Sequence, residues 1–312
     1  MICDCHLHTA FSGDSNTPAR VQIERAVSMG MKEITITDHH DRDSSFCEDN
    51  FELDLPSYLS ALNTLKEEYR DKIRINIGIE LGLQLHICRY LEKFHKDFGS
   101  EFDFIIGSSH FIRSHDPFYP SFWEACGSRQ GLEEFFTLSF KRARAFHPFF
   151  DSWGHLDYAA RYAPDSASVY SYFAFNEQID SILRVLAENG KALECNTGGF
   201  RSRLSHQNPD TEILKQYRRM GGEHITIGSD AHAPEHLGYG FTRAKELLKQ
   251  CGFHYYTIYH NRKSGDDPPV GISPLFYAVS QITAPSWPHQ CPFSAASTLP
   301  HAPHNISDTA YR

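Results

Sequence analysis

The feature that most constrains this chain is a series of short hydrophobic runs that each end in a residue able to bind a metal ion. The first run ends in His6-Leu7-His8, and a later one ends in Glu80. The residues of this type at or just after the runs are His6, His8, Asp14, His39, Glu80, His110, His155, Asp230 and His232. An isolated histidine is usually a packed core or surface residue, but repetition at matching positions is not explained that way. It predicts a polynuclear metal centre at the strand ends of a barrel.

Strand-like and helix-like segments alternate along the chain, which is typical of a parallel α/β sheet. The predicted strands cover 2–7, 33–38, 73–80, 103–110, 152–156, 191–196 and 224–229. The predicted helices cover 18–29, 56–70, 84–97, 131–146, 168–189, 210–220 and 240–250. Ligand-type residues after most strands favour a closed or nearly closed barrel. The alternative, a doubly wound sheet, would gather its site at one switch point.

The composition divides the chain into a predicted barrel domain, residues 1–262, and a predicted tail, residues 263–312. Half of the 16 prolines lie in the tail, which lacks long helical or strand patterns. Such a segment cannot bury enough apolar surface to offset the entropy of ordering. We therefore expect a poorly ordered tail, and a chain that ends near Asn261 should remain folded and active.

The charge balance limits the classes of partner. The chain has 30 Lys and Arg residues against 39 Asp and Glu residues, a net charge of −9, which argues against a large nucleic-acid interface. No apolar run approaches the length of a membrane span, and the chain opens directly into a predicted strand without a signal peptide. We expect a cytoplasmic protein with a small-molecule substrate and no membrane or nucleic-acid partner.

The motifs HLHTAFSGDS, TDHH, GIELG, GSSHF, GHLD and GSDAH resemble, in this order, those of the PHP (polymerase and histidinol phosphatase) superfamily. The segments GSSHFIRSHDPFYPSFWE and ECNTGGFR are most similar to the histidinol-phosphate phosphatases of that superfamily. The resemblance covers residues 1 to about 262. It implies a distorted (β/α)7 barrel, TIM-barrel-like, with a trinuclear metal centre at the carboxyl ends of the strands.

The resemblance also implies how the ligands are shared among three divalent ions. His6, His8, Glu80 and Asp230 would bind the first ion; Glu80 would bridge to a second, held with His110 and His155; Asp14, His39 and His232 would hold the third. The family often has a histidine at the position of Asp14, whereas histidinol phosphatases frequently have aspartate. His40 is an alternative to His39. Imidazole and carboxylate ligands suit zinc, iron or manganese.

Further residues are implied to act on the substrate. By resemblance, Arg161 and His236 would contact its phosphate, and together with Glu80 they form the predicted catalytic set. A guanidinium offers forked donors to phosphate oxygens. Asn196 and Arg201 could bind the amino alcohol or the phosphate. The structural alternatives are a surface ion pair for Arg161, a helix-start histidine for His236 and a loop contact for Arg201.

The resemblance implies metal-assisted hydrolysis of L-histidinol phosphate to L-histidinol and phosphate, in histidine biosynthesis. The alternatives are a PHP phosphoesterase that acts on a nucleotide or nucleic-acid end, and a catalytically silent PHP binding module.

Three further predictions concern the surroundings of the site. Asp38, Glu194 and Asp157 are candidates for orienting imidazoles. The run 41–43 is interpreted as a solvated loop. The aromatic stretch 115–123 could form a wall over the site or pack as a surface loop.

Overall fold

Parallel strands form the centre of the protein, which we describe from a computed structural model over residues 3–44, 47 and 51–267. The strands are β1 (Glu33–Ile36), β2 (His39–His40), β3 (Arg74–Gly82), β4 (Phe104–Ser108), β5 (Ser152–Trp153), β6 (Ala192–Asn196) and β7 (Ile225–Gly228). They pair in the order β1-β3-β4-β5-β6-β7, with β2 also paired to β3. Neighbouring strands therefore follow chain order, as in a barrel and unlike a doubly wound sheet.

The first predicted strand joins the two edges of this sheet. Segment 3–8 forms isolated parallel bridges on both sides, Asp4 with Ile34 of β1 and Leu7 with Ala231 just after β7. Backbone hydrogen bonds run from Thr35 N to Asp4 O (2.9 Å) and from Cys5 N to the oxygen of Ile227 (3.0 Å). Since β1 and β7 both bond to segment 3–8, the sheet closes into the predicted barrel.

Helices follow the strands and cover the outside of the barrel. They are α1 (Ala19–Ser28), α2 (Leu55–Tyr69), α3 (Cys88–Phe98), α4 (Pro120–Phe146), α5 (Ser166–Val169), α6 (Asn176–Glu188), α7 (Thr211–Arg219) and α8 (Phe241–Gln250). Helix α6 shows why they pack there: Ile179, Ile182, Leu183 and Leu186 share one buried stripe. Within the described residues, no helix is both long enough and apolar enough to cross a membrane.

Two helices differ most from their predicted bounds. The helix predicted over 131–146 begins at Pro120 and continues through a kink at Gly127, where φ is 72°. The helix predicted over 168–189 is divided into α5, a 3-10 turn and α6. There the Ser171 side chain accepts a hydrogen bond from Ala174 N, which satisfies the turn locally.

A hairpin that the sequence did not predict closes the amino-terminal end of the barrel. Strand β8 (Tyr256–His260) pairs antiparallel with β9 (Lys263–Asp267). The turn residues Asn261 and Arg262 have φ of 51° and 60°, as a two-residue hairpin turn with positive φ requires. The turn sequence is Asn-Arg, and not the Asn-Gly or Asp-Gly from which such a turn can be predicted.

This hairpin also bears on the predicted domain boundary. Strand β9 continues the described fold past residue 262, and a chain ending at Asn261 would lose both β9 and Arg262. Arg262 N donates to the oxygen of Asp103 at 2.8 Å, and its Nη2 lies 2.9 Å from Asp151 Oδ1. The hairpin therefore belongs with the barrel, while the remaining tail prediction falls on 268–312, outside the described residues.

Arg262 provides a test of this packing. Asp151 is buried, so Arg262→Ala leaves a carboxylate without its cation and should lower the free energy of unfolding by about 1–3 kcal/mol. Urea unfolding measures the change. Arg70→Ala, which removes an exposed pair with Glu67, is the control and should cost less than about 0.5 kcal/mol. Equal stability of the Arg262 variant and the wild type would mean that the hairpin contributes nothing to the barrel.

Candidate metal centre and substrate site

Glu80, on β3, lies at the centre of the candidate site. Its Oε1 is 2.9 Å from His155 Nε2 and 3.1 Å from His110 Nε2. Its Oε2 is 3.2 Å from His6 Nε2 and 3.0 Å from His39 Nδ1. The carboxylate is fully buried. One oxygen therefore faces each of two histidine pairs, an arrangement suited to a carboxylate that bridges two ions.

His6 and His8 meet because alternate residues of an extended segment share a face. Their Nε2 atoms are 3.0 Å apart. Asp230, which follows β7, places Oδ1 3.3 Å from His8 Nε2 and 3.7 Å from His6 Nε2. Gly228 permits this approach, because a Cβ there would lie 2.2 Å from the Cβ of His6. A glycine is therefore needed at position 228, two residues before Asp230, because any side chain there would collide with His6.

The remaining predicted ligands lie on the outer side of His8. Asp14 Oδ2 is 3.1 Å from His232 Nε2 and 3.6 Å from His39 Nε2. The ring of His8 stacks against both His39 and His232, at centroid distances of 4.2 and 4.1 Å. All the metal-ligand candidates of the sequence thus come together. His40 does not: its Nε2 contacts the Tyr90 hydroxyl and its Nδ1 accepts Leu53 N.

The donor set fits divalent metal ions. Zinc–nitrogen bonds are about 2.0–2.1 Å, so two donors on one tetrahedral ion lie about 3.4 Å apart, close to the separations around Glu80 and Asp230. Among the described residues, four groups of three donors have their ligand atoms within 4.8 Å of one another, including His6-Glu80-His155 and His6-His8-Asp230. Glu80 Oε2 and His39 Nδ1 are buried without a hydrogen bond of suitable geometry. Buried polar atoms in this state are expected where an ion completes the site.

The charges around Glu80 lead to the same conclusion. Burial by itself would raise the pKa of Glu80, but His6, His110 and His39 outweigh it and hold that pKa well below its usual range. Burial disfavours protonation of His39, yet the carboxylates of Glu80 and Asp14 raise its pKa to about 9. In the absence of metal, imidazolium protons compensate the buried carboxylates. A divalent cation can replace those protons.

Two polar contacts hold the first histidines in place. The Nδ1 of His6 is 2.6 Å from Glu194 Oε1, so Glu194 acts as predicted on an imidazole. His8 Nδ1 is 3.0 Å from Ser12 Oγ, which in turn donates to Asp38 Oδ1 at 2.7 Å. Asp38 therefore reaches His8 through a serine. Such contacts fix ring orientation and tautomer.

The sequence interpretation of 41–43 as a solvated loop is wrong for Asp41. This carboxylate is buried, and its Oδ1 lies 2.8 Å from His110 Nδ1 while Oδ2 lies 3.7 Å from His39 Nδ1. Asp41 follows His39 by two residues at the end of β2, so both can face the interior. This two-residue spacing is the sequence feature that could have identified Asp41 as a site residue. Gly82 makes room, since a Cβ there would lie 1.8 Å from Asp41 Oδ1.

Arg161 lies beside the ligands rather than at the surface. Its Nη1 donates to Asp230 Oδ2 at 3.2 Å, its Nη2 to Asn196 Oδ1 at 2.9 Å and its Nε to Asn208 Oδ1 at 2.6 Å. Asn196 also donates from Nδ2 to Asp230 Oδ2 at 3.2 Å. The alternative of a surface ion pair does not describe this guanidinium, because the Arg161 side chain is only 10% exposed. Its three partners hold the fork rigidly at the edge of the cluster.

Asn208 is a site residue that the sequence reasoning missed, and Asp157 explains its position. Asp157 Oδ1 accepts from Asn208 Nδ2 at 2.5 Å, and Oδ2 accepts from the backbone of Asp210 at 2.9 Å. Asp157 therefore accepts hydrogen bonds from Asn208, from the backbone of Asp210 and from the Tyr170 hydroxyl. In the part of the chain that the structure describes, it does not contact an imidazole, so that prediction is wrong. Asp157 supports Arg161 through Asn208. No local motif marks Asn208, because its role depends on contacts far away in the chain.

Arg201 and His236 lie at the outer edge of the cluster. Arg201 Nη1 and Nη2 each donate to Ser229 O at 3.2 Å, and its guanidinium lies 5.4 Å from the centroid of Tyr239. His236 ends the 3-10 turn Pro234–His236 and is partly exposed. Burial, together with the charge of Arg201, lowers the pKa of His236. Arg201 Nη2 also donates to the backbone oxygen of Asp230 at 3.1 Å, and His236 lies near His232, whose charge contributes to the lowered pKa of His236.

Comparison with known proteins places this geometry in a family. The PHP domain family matches residues 4–198. The histidinol-phosphatase of Lactococcus lactis subsp. lactis is 32% identical over 266 residues, which is 83% of this chain and 95% of that protein. The histidinol-phosphatase of Bacillus subtilis is 24% identical over 274 residues, 80% of this chain and 98% of that protein.

A solved structure shows the same similarity in three dimensions. The crystal structure of histidinol phosphate phosphatase from Lactococcus lactis, complexed with zinc, L-histidinol and phosphate, superposes with a TM-score of 0.77. Its sequence is 32% identical to this chain, and the match covers 85% of this chain and 98% of that one.

Asp41 provides a test of the metal centre that does not depend on turnover. Asp41→Asn keeps the size of the side chain but removes the carboxylate that orients His110, so metal affinity should fall about 10- to 100-fold. Competition with a chelator, followed by metal analysis, measures the loss. Asp43→Asn, which changes a half-exposed carboxylate nearby, is the control. Unchanged metal retention in the Asp41 variant would remove Asp41 from the centre.

Proposed function

Since the chain belongs to the PHP domain family, we propose that it is a metal-dependent phosphomonoesterase that hydrolyses L-histidinol phosphate to L-histidinol and phosphate, a step of histidine biosynthesis. The observation that carries the proposal is that Arg161 lies next to the metal-ligand candidates around Glu80, with its Nη1 3.2 Å from Asp230 Oδ2. The relative from Lactococcus lactis, which matches over most of both chains, holds zinc, L-histidinol and phosphate. The imidazoles and carboxylates around Glu80 are suitable ligands for such metal ions, and Arg161 is a suitable donor to phosphate.

We assign three divalent ions to the cluster, as zinc, iron or manganese. His6, His8, Glu80 and Asp230 would hold the first, Glu80, His110 and His155 the second, and Asp14, His39 and His232 the third. When bound, such ions act as Lewis acids toward a phosphate ester and make water more acidic. Glu80 supports the division between the first two ions, because its Oε1 faces His110 and His155 of the second ion and its Oε2 faces His6 of the first. Its Oε2 also faces His39, which is assigned to the third ion.

The protein's own side chains would bind and orient the phosphate. Arg161 is held by Asp230, Asn196 and Asn208, so its guanidinium is preorganised to donate to phosphoryl oxygens. Burial and the charge of Arg201 lower the pKa of His236, which favours its neutral imidazole. We assign it a hydrogen bond to the phosphate or the leaving oxygen. Asn196 and Arg201, around Asp230, complete the proposed substrate contacts.

Phosphate release from three substrates tests the function. We expect kcat/KM for L-histidinol phosphate to exceed that for a nucleoside monophosphate and for an aryl phosphate by at least about a hundredfold. Preference for the nucleotide would indicate the alternative phosphoesterase. No hydrolysis by the metal-loaded protein would indicate a binding module.

Glu80 is the residue on which turnover should depend most. Glu80→Gln replaces the carboxylate that would bridge two ions with an amide, which is a poorer bridging ligand, so kcat should fall by at least about a thousandfold while the barrel stays folded. Steady-state kinetics, metal analysis and circular dichroism measure the three quantities. Glu188→Gln, on the exposed end of α6, is the control and should keep full activity. Full turnover in a metal-loaded Glu80→Gln protein is the result that contradicts the assignment.

Arg161 should act on phosphate rather than hold metal. Arg161→Ala removes a forked donor, while Asn196 still donates to Asp230, so metal content should persist. Charge-assisted hydrogen bonds are worth about 1.5–3 kcal/mol each, so kcat/KM should fall about tenfold to several-hundredfold.

The accompanying variants separate charge from geometry. Arg161→Lys should restore only part of the activity, because an ammonium cannot fork. Inhibition by inorganic phosphate should weaken in parallel with turnover. Arg203→Ala, which changes an exposed arginine, is the control. Wild-type phosphate affinity in Arg161→Ala would show that another group, with Arg201 the first candidate, binds the phosphate.

A further inference from the structure

A row of aromatic rings leads from the metal-ligand cluster to the surface. The Tyr158 ring lies 5.0 Å from His155 and 5.4 Å from His110, between centroids. Tyr162 is 5.1 Å from Tyr158, and Phe118 is 5.4 Å from Tyr162. Phe118 is 57% exposed, which is unusual for a large apolar side chain. The row therefore begins at the reaction centre and ends in solvent.

The inner end of this row also meets the proposed phosphate donor. The Cζ atom of Arg161 lies 5.7 Å from the centroid of Tyr158. A phosphate bound at Arg161 and the metal ions would therefore leave the organic part of its ester close to Tyr158. From there, the rings of Tyr162 and Phe118 offer a wall along which that part can extend.

The loop that carries Phe118 is fixed by hydrogen bonds. Ile112 and His115 exchange backbone bonds of 2.9 and 3.1 Å, and Trp123 Nε1 donates to Pro117 O at 2.6 Å. Asp116 Oδ1 accepts the backbone N–H of Phe118 at 2.8 Å. Phe118 thus projects from a loop whose conformation is fixed by these hydrogen bonds.

Asp116 places a negative charge beside the aromatic row. It is half-buried. Burial raises the pKa of Asp116 and the charge of His110 opposes this rise, while burial, and to a smaller extent the charge of Asp116, contribute to the raised pKa of Tyr158 and Tyr162. Within the described residues, no cationic side chain pairs with this carboxylate, and Oδ2 receives no hydrogen bond. One oxygen is therefore available to a ligand at the mouth of the site.

We propose that Asp116, with the rings of Tyr162 and Phe118, is the specificity site for the organic part of the substrate and selects a positively charged amine or imidazolium. This inference rests on the proposed phosphatase function and adds to it the residues that choose the ester. A carboxylate gives a charge-assisted hydrogen bond to an ammonium, and aromatic faces attract cations. A neutral or anionic alcohol would leave the carboxylate unpaired in a half-buried position.

The alternative is that Asp116 only stabilises the loop. The variant Asp116→Asn distinguishes this structural role from selection of a cationic substrate. Asparagine retains an oxygen for the Phe118 N–H and so keeps the turn, but it removes the charge. Two substrate pairs differ in the charge of the alcohol: L-histidinol phosphate against phenyl phosphate, and ethanolamine phosphate against ethyl phosphate.

In Asp116→Asn, kcat/KM should fall about tenfold to a hundredfold for both cationic esters and stay within about twofold for the neutral esters, with metal content unchanged. Phe118→Leu should raise KM for L-histidinol phosphate with little effect on kcat. Asp71→Asn, which changes a 92% exposed carboxylate beyond the carboxyl end of α2, controls for the change in net charge.

Equal losses for cationic and neutral esters, or no loss for either, would overturn the inference. Failure of the proposed function looks different: the wild type would not favour L-histidinol phosphate over phenyl phosphate. In that case the ethanolamine pair still reports on Asp116. A charge-dependent loss there supports a cation-selecting site on another phosphatase, and its absence rejects the site.

Discussion

The buried carboxylate of Glu80 is the interaction on which the rest of the site depends. It lies on β3, flanked by β2 and β4, and its two oxygens meet His6, His39, His110 and His155 from four different parts of the chain. A buried charge with so many neighbours is stable only when cations balance it. In this site the negative charges of the buried carboxylates are therefore neutralised by divalent ions, which the imidazoles and carboxylates bind together.

A second layer of polar groups keeps this balance in one geometry. Glu194 holds His6, Asp41 holds His110, and Asp38 acts on His8 through Ser12. Asp38 and Asp41 flank β2, which carries His39, and Glu194 lies on β6, next to the strand that Asp230 follows. Because the barrel brings the carboxyl ends of its strands to one face, ligands and their supports are built by the same closure of the sheet.

The two ends of the barrel have different tasks. The hairpin of β8 and β9 packs over the amino-terminal end, where Tyr259 stacks on Phe104 at 5.1 Å and Arg262 pairs with Asp151. The carboxyl-terminal end carries the ligands and the loop with Asp116 and Phe118, where a substrate can enter. The hairpin and the proposed specificity loop thus lie at opposite ends of the barrel, so that loops around the site can vary without loss of the core.

The sequence by itself determined the features that depend on local order. Strand and helix periods, and the position of ligand-type residues after hydrophobic runs, identified the barrel and the residues that cluster around Glu80 because these signals lie within a few neighbouring positions. The resemblance of the motifs then indicated the family. Only the tertiary structure decided which residues meet across long stretches of chain. Asp41 reaches His110, Asp157 supports Asn208 instead of an imidazole, and segment 3–8 joins β1 to β7. These contacts arise from closure of the sheet, which brings together positions that no local pattern connects.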